Sequence, residues 1–154
     1  MFSVIDALKD VASWCKARNH IGASASARGN TSSQTLPNST ITVVNLNTWI
    51  QRTDTGFTFS NYGIKVPYAG TVLISGNVYV GGSASSDLIG CYLRLNGAEI
   101  SSQYTAGVRG GLAGGITMTQ VKAGDVITLC ARSSPSRNAA PSNPSTHLDV
   151  TYIK

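Results

Sequence analysis

The run Tyr62-Gly-Ile-Lys-Val-Pro-Tyr-Ala-Gly-Thr-Val-Leu-Ile-Ser-Gly-Asn-Val-Tyr-Val80 carries the strongest structural signal in the chain. Val, Ile, Tyr and Thr at this density favour pleated backbone, and Pro67 with Gly70 fits only at a strand edge and a turn. The run therefore reads as a short edge strand, a Pro-Tyr-Ala-Gly turn and a long strand from Thr71 onward. With unbroken alternation, Val72, Ile74 and Val78 point one way, while Leu73, Asn77 and Tyr79 point the other. Both faces are then largely apolar, and such a strand needs two coverings.

Strand signals continue on either side. They occupy residues 41–51, 56–62, 88–95, 115–121, 125–132 and 147–154, which with the central run gives seven or eight strands. Asn96-Gly97 is the strongest turn, because both residues tolerate positive φ in a type I′ hairpin, and Lys122-Ala-Gly-Asp125 is a second. No helix interrupts these strands. An antiparallel set of this size is a sandwich or barrel, and the even spacing with long loops suits a jelly roll. In residues 126–131, Val126, Thr128 and Cys130 face one way and Ile127, Leu129 and Ala131 the other, so one face is expected to fill the sandwich and the other to meet a neighbouring subunit.

The chain has 154 residues, of which 12% are charged. That is long enough for one domain to bury roughly two thirds of its unfolded surface without metals or disulfides. No segment approaches the roughly 20 apolar residues of a membrane span. The net charge of +5 comes from scattered side chains, not from the basic stripe of a nucleic-acid binder. Arg132 and Arg137 flank a Ser/Pro-rich loop and suit an acidic glycan. Cys15, Cys91 and Cys130 show no metal-ligand spacing; Cys91 and Cys130 fall in strands and read as unpaired core residues, with a single disulfide as the alternative.

Residues 1–21 form a second unit. Ser3 can cap a helix with Asp6 three residues on, and Lys16, Arg18 and His20 sit toward its negative end. Val4, Leu8, Val11 and Cys15 follow the spacing of a coiled-coil seam, and Trp14 lies off it. This predicts a short N-terminal helix for docking on another protein or for self-association. Its acids do not suit a signal peptide. Residues 22–39, small and polar, read as a flexible linker ahead of a head at residues 40–154. Asn30-Thr-Ser and Asn38-Ser-Thr match the glycosylation sequon, which carries little weight without a secretory signal.

Four blocks, Gly63-Ile-Lys-Val-Pro-Tyr-Ala-Gly-Thr-Val-Leu-Ile-Ser-Gly, Tyr92-Leu-Arg-Leu-Asn-Gly, Val121-Lys-Ala-Gly-Asp-Val-Ile-Thr-Leu and Leu148-Asp-Val-Thr-Tyr-Ile, resemble the globular heads of the complement and tumour-necrosis-factor superfamily in order and spacing. The resemblance implies an all-β, antiparallel jelly-roll sandwich forming a tight homotrimer. It places Val72, Ile74, Val78, Tyr79, Leu129 and Tyr152 at the trimer interface, with Tyr79 or Tyr152 close to the threefold axis. A short helix and a Ser/Ala linker in place of a collagen-like stalk look like bacteriophage fibre or tail-tip proteins that carry the same jelly roll.

The catalytic inventory is poor. His20 is expected in the helix, and Asp149 shares a strand face with His147 without a triad motif. Glu99 and Asp87 have no reason to converge as a glycosidase pair, and residues 107–115, rich in glycine, lack the P-loop context and read as a mobile loop. Asp87 and Asp125 are the first places to look for a calcium ion of the kind some family heads hold, although no metal or cofactor is expected. The expectation is a non-enzymatic, homotrimeric virion component, docked through its N-terminus to other virion proteins and binding a host-surface receptor or saccharide. Ser85, Tyr104, Arg109 and Arg137, in presumed loops at 81–87, 101–111 and 133–145, are its candidate contacts. A purely structural particle protein and a secreted complement- or cytokine-like ligand are the alternatives.

Overall fold

From Gly70 the chain forms one strand of twelve residues, β7 (Gly70–Gly81), in which buried and partly exposed residues alternate. Val72, Ile74, Val78 and Val80 are completely buried. At Gly76 an added Cβ would lie 2.8 Å from Leu93 and 2.9 Å from Leu129, so only glycine lets those leucines close down on the strand. The computed structural model describes residues 20–81, 87–106 and 111–154. The expected helix with Val4, Leu8, Val11, Trp14 and Cys15 lies outside the described residues, as do Ser85 and Arg109.

Ahead of β7 come β1 (Ser24–Arg28), β2 (Gln34–Leu36), β3 (Thr42–Val43), β4 (Thr48–Arg52), β5 (Thr58–Ser60) and β6 (Gly63–Lys65). After it come β8 (Leu88–Leu95), β9 (Ala98–Ala106), β10 (Gly111–Val121), β11 (Val126–Ser134), β12 (Arg137–Ala139) and β13 (His147–Tyr152). A seven-stranded sheet runs β2-β12-β7-β13-β1-β4 with β10 also on β7, and a six-stranded sheet runs β5-β6-β11-β8-β9 with β3 on β11. Val80 pairs with both Gly111 and Ala139, so β10 and β12 take opposite edges of β7. The core lies between the sheets: Val72, Ile74, Val78 and Val80 meet Ile89, Cys91, Leu93, Ile127, Leu129 and Ala131. The expected all-β jelly-roll sandwich is the one observed.

Residues 22–39 are not a linker. β1 pairs with β13 and β4, and β2 with β12. Ala25, Ala27 and Leu36 are core residues. The composition misleads because this edge of the sandwich is thin: at Gly29 a Cβ would stand 2.3 Å from Pro141 Cβ and 2.4 Å from the Asn45 carbonyl oxygen. Small residues are what such close packing admits. Residues 41–51 likewise divide, β3 joining the six-stranded sheet and β4 the other.

Two expected loops contain strands. β9 extends to Ala106 and β10 begins at Gly111, in register with Val80, while β12 bridges β2 and β7. Gly114 of β10 serves packing: a Cβ there would fall 1.9 Å from Asn77 Oδ1, whose side chain lies across that position. The Asn96-Gly97 hairpin has φ of +50° and +84°, as its sequence predicts. Asn96 also ties it to the 122–125 turn, donating to Asp125 Oδ1 at 2.8 Å and accepting from Val126 N–H at 2.9 Å. The Lys122 N–H, then the Asn96 amide, hold the Asp125 carboxyl below its usual range.

Cys91 and Cys130 are free and buried. Cys91 faces the core, its thiol 3.6 Å from the Gly76 carbonyl, whereas Cys130 faces the other side of β11, so the two do not pair. Burial pushes the Cys91 thiol up to about 12. The folded state therefore holds that proton more tightly than the unfolded chain does, and stability is fully present below 9.0, the thiol's ordinary value. It falls as pH rises through that window, by up to about 1.4 kcal/mol per pH unit. Urea midpoints measured across pH 8–11 should show this decline in the native protein and a shallower one in Cys91→Ala; parallel curves would refute the assignment. Gly114→Ala should cost about 1–3 kcal/mol by displacing Asn77, and Asn77→Ala in the same chain should recover part of that loss, since it vacates the contested space.

Candidate functional site

Burial of alternate residues leaves the others on the outward faces of the two sheets. On the seven-stranded sheet, strand register sets Ser26, Asp149, Ser75 and Ile116 in one row and Ser24, Thr151, Leu73 and Met118 in the next. Ile116 and Met118 are 65% and 66% exposed, which is unusual for large apolar side chains in mid-strand. Between them and β1 the face is polar but satisfied within itself. The Ser26 hydroxyl donates to Asp149, the Ser75 hydroxyl donates to it at 3.1 Å, and His147 Nε2 stands 3.4 Å from the same carboxylate and 3.2 Å from the Asn77 amide. A recess of roughly 460 Å³ opens beside them, lined by Ser75, Asn77, Gln103, Gly114 and Ile116.

This Ser, His and Asp grouping is not a nucleophile with its base. Ser75 bonds to the carboxylate, and His147 meets an amide and a carboxylate instead of a hydroxyl.

The expected trimer-interface residues fall mostly elsewhere. Val72, Ile74, Val78 and Leu129 are core residues with no exposure, and Tyr152 is 2% exposed. Their apolar character is used inside the chain, where β7 and β11 face each other. The Tyr152 hydroxyl donates to the Tyr68 carbonyl at 2.6 Å and accepts from the Tyr68 N–H at 3.1 Å, and burial raises its pKa to about 12. Tyr79 alone stays on the outward face, half-buried. The residues the sequence reading passed over are Leu73, Ile116 and Met118. Alternation in Gly115-Ile-Thr-Met-Thr-Gln120 is plain, but its direction is reversed: the threonines face inward.

The outward face of the six-stranded sheet has a different chemistry. Tyr92 and Tyr104 meet edge to face at 5.6 Å between ring centres, with their hydroxyls 2.5 Å apart. Gly90 makes room for them: a Cβ there would stand 2.9 Å from Tyr92 and 3.0 Å from Tyr104. Tyr104 belongs to β9, not to a loop, and is 50% exposed. Burial, then the bond to Tyr104, raises the Tyr92 pKa. The neighbouring Tyr92 hydroxyl and, less strongly, that of Tyr104 raise the Arg132 pKa. A recess of roughly 400 Å³ lies along the same face, lined by Val43, Asn61, Arg94, Asn96, Val126 and Thr128.

Arg137 is not a free contact. Its guanidinium grips the buried Asp87 with Nε to Oδ2 at 2.6 Å and Nη2 to Oδ1 at 3.1 Å, which fastens the start of β8 to β12. Both aspartates considered for calcium are thus engaged, and among the described residues no group of three or more His, Cys, Asp or Glu side chains could hold a metal ion. At the opposite end His20 stacks on Tyr68 at 3.4 Å, with Nδ1 3.7 Å from Asp54, and Gly22 N–H donates to the Tyr152 carbonyl at 2.8 Å. The chain therefore enters the domain beside its own C-terminal strand.

No protein-family model and no curated protein matches the sequence. Solved structures do match. Murine APRIL at pH 5.0 superposes with a TM-score of 0.67 at 13% identity over 86% of this chain and 99% of that one. Murine APRIL at pH 8.0 gives 0.66 at 14% identity, covering 85% and 98%. Eiger TNF from S. frugiperda gives 0.59 at 17% identity, covering 87% and 94%. At such identities the likeness concerns the fold, and the fold of this chain is a TNF-like jelly roll.

Proposed function

We propose that this chain is a non-catalytic, homotrimeric binding head, carried on a bacteriophage fibre or tail tip, that attaches to a host surface. The observation that supports trimerisation is the outward face of the seven-stranded sheet, where Ile116 and Met118 stand 65% and 66% exposed and Leu73 lies opposite Met118. Apolar side chains in a continuous patch lower their free energy by meeting a partner, and a second and third copy supply one of the same shape. The polar row around Asp149 has its hydrogen bonds made within the chain, so it enters an interface without unpaired groups. Three identical weak sites on one rigid head then act together, because the first contact raises the local concentration for the next. The N-terminal segment, which joins beside Tyr152, would dock on other virion proteins and leave the far end outward.

The likeness to APRIL and Eiger TNF favours a second reading, a trimeric cytokine-like ligand, with the same assembly and a different target. Adsorption of the purified chain to intact bacterial cells supports the fibre reading. Its absence, with a trimer present, favours the cytokine-like ligand or a structural particle role.

Light scattering on the full chain should give about 48 kDa, three times the 16.1 kDa of one chain. Met118→Asp should lower the mass toward the monomer while the strand signature in circular dichroism persists. Val78→Asp should instead abolish folding, because it buries a charge in the core of each subunit. A monomeric native protein, or an undiminished trimer in Met118→Asp, would overturn the assembly.

A further inference from the structure

We infer that the outward face of the six-stranded sheet carries a site for an anionic saccharide, with Arg94 and Arg132 binding its acid groups and Tyr104 its sugar ring. The inference takes its setting from the surface-binding head proposed above, but it rests on different residues. The face points away from the one assigned to assembly, so trimerisation leaves it open.

Register fixes the layout. Thr128 lies opposite Arg94, Cys130 opposite Tyr92 and Arg132 opposite Gly90, which in turn faces Tyr104. Arg94 and Gly90 are four residues apart on one strand, so the two arginines are anchored about 13 Å apart along the sheet. That separation suits two neighbouring units of a saccharide chain.

Among the described residues neither guanidinium is paired with an acid. The ion pairs among the described residues join His20 to Asp54, Arg137 to Asp87 and His147 to Asp149. Glu99, the register partner of Arg94 across a β-bulge, makes no such pair. Asp125 is occupied by Asn96 and the Lys122 N–H. Moreover, Nε of both Arg94 and Arg132 is shut off from solvent without a hydrogen-bond partner. By contrast, Arg137 has a carboxylate and Arg52 has the Phe57 carbonyl and the Trp49 ring, whereas the neighbours of Arg132, the Tyr92 and Tyr104 hydroxyls, are neutral and leave its charge unopposed. A guanidinium that has lost water at one nitrogen and gained no counter-charge is stabilised by an anion bound at its remaining donors.

The surroundings favour a sugar over a peptide. The recess at Arg94 brings Asn61 and Thr128 to its lining, an amide and a hydroxyl able to exchange hydrogen bonds with sugar hydroxyls. At the Arg132 end, Tyr104 offers a half-exposed ring held in place by its hydroxyl bond to Tyr92. Such a ring stacks on the apolar face of a pyranose. The two acid-binding points lie on paired strands, whose rigidity keeps their spacing fixed.

Full-length protein should be titrated by calorimetry with 3′-sialyllactose, a sulfated chondroitin disaccharide, lactose and hexaglutamate, with mass measured on the same samples. At least one anionic sugar should bind saturably and more weakly as salt rises, while lactose does not bind. Arg94→Gln and Arg132→Gln should each weaken that binding about tenfold or more, with mass and melting temperature unchanged. Tyr104→Ala should weaken the sugar without affecting inorganic sulfate, and together with Arg132→Gln it carries the test if Arg94→Gln fails to fold. Absence of binding by both anionic sugars, unaltered affinity in the arginine variants, or equal affinity for hexaglutamate would each overturn the inference. A trimer that binds neither sugar removes this site and leaves assembly standing; a monomer that binds supports the site and removes the assembly.

Discussion

The sandwich depends on how closely its two sheets approach at Gly76. There β7 gives up a side chain so that Leu93 and Leu129 can reach its backbone, and Val72, Ile74, Val78 and Val80 close around the contact with no solvent exposure. Because side chains on a strand alternate with period two, fixing these residues inward fixes Leu73, Ser75, Asn77 and Tyr79 outward. Strands paired to β7 inherit the same sense: Asp149 stands beside Ser75, and Met118 beside Leu73. One packing contact thus determines what the molecule shows to other molecules.

What it shows differs between the two sheets. The seven-stranded sheet exposes Ile116 and Met118 next to a polar row whose members bond one another, a surface that loses little on being covered. The six-stranded sheet presents the half-exposed Tyr104 beside the partly buried Arg94 and Arg132, and covering these with another copy of the same face would bring unneutralised guanidinium groups together. The face proposed for assembly and the face proposed for ligand binding therefore differ in chemistry as well as in position. The same separation explains why Cys130, on the side of β11 away from the core, is nevertheless buried: Tyr92 and Val43 flank it in register, and Thr128 stands 3.9 Å from its thiol.

The strands and turns could be read from the sequence because each has a local cause. Asn96-Gly97 turns the chain because both residues take positive φ, and residues 126–131 pleat because Val126, Ile127 and Thr128 are β-branched and the three residues that follow are apolar. Three features had no local cause. Ser24–Arg28 looks like a linker, yet becomes a strand because β13 and β4 lie on either side of it and pair with its backbone, while Ala25 and Ala27 turn into the core. Apolar residues on both faces of β7 and β11 indicated a partner, but not which face fills the sandwich, and so Val72, Ile74, Val78 and Leu129 were assigned to the wrong one. Tyr104 and Arg137 were sought in loops, whereas pairing over long sequence distances places them in β9 and β12. Non-local pairing is what a single sequence conveys least: Arg132 stood out in the sequence for an acidic glycan, but its place beside Arg94 on one sheet face came only from the pairing of β8 with β11.

The two ends of the molecule are also unlike. Near Gly70, where β7 begins, lie Lys154, Tyr152, Gly22, the His20–Tyr68 stack and the coupled turns at Asn96 and Asp125. Gly70 pairs with Val121, and Thr71 N–H bonds to the Lys154 carbonyl, so Lys154, the described residues from His20 to Gly22 and the 122–125 turn share this end. Roughly 36–40 Å away along β7, Gly81 adjoins Asn138, and Leu88 pairs with Ala106 and Ser134. Asp87 and Arg137 brace that far end with a buried carboxylate under a bidentate guanidinium. If the segment before residue 20 is an anchor, its point of entry leaves the braced end farthest from the attachment, with the Arg94–Arg132 face along the side. The clamp ties together strands far apart in sequence, and under the proposed attachment it would keep that outward end rigid.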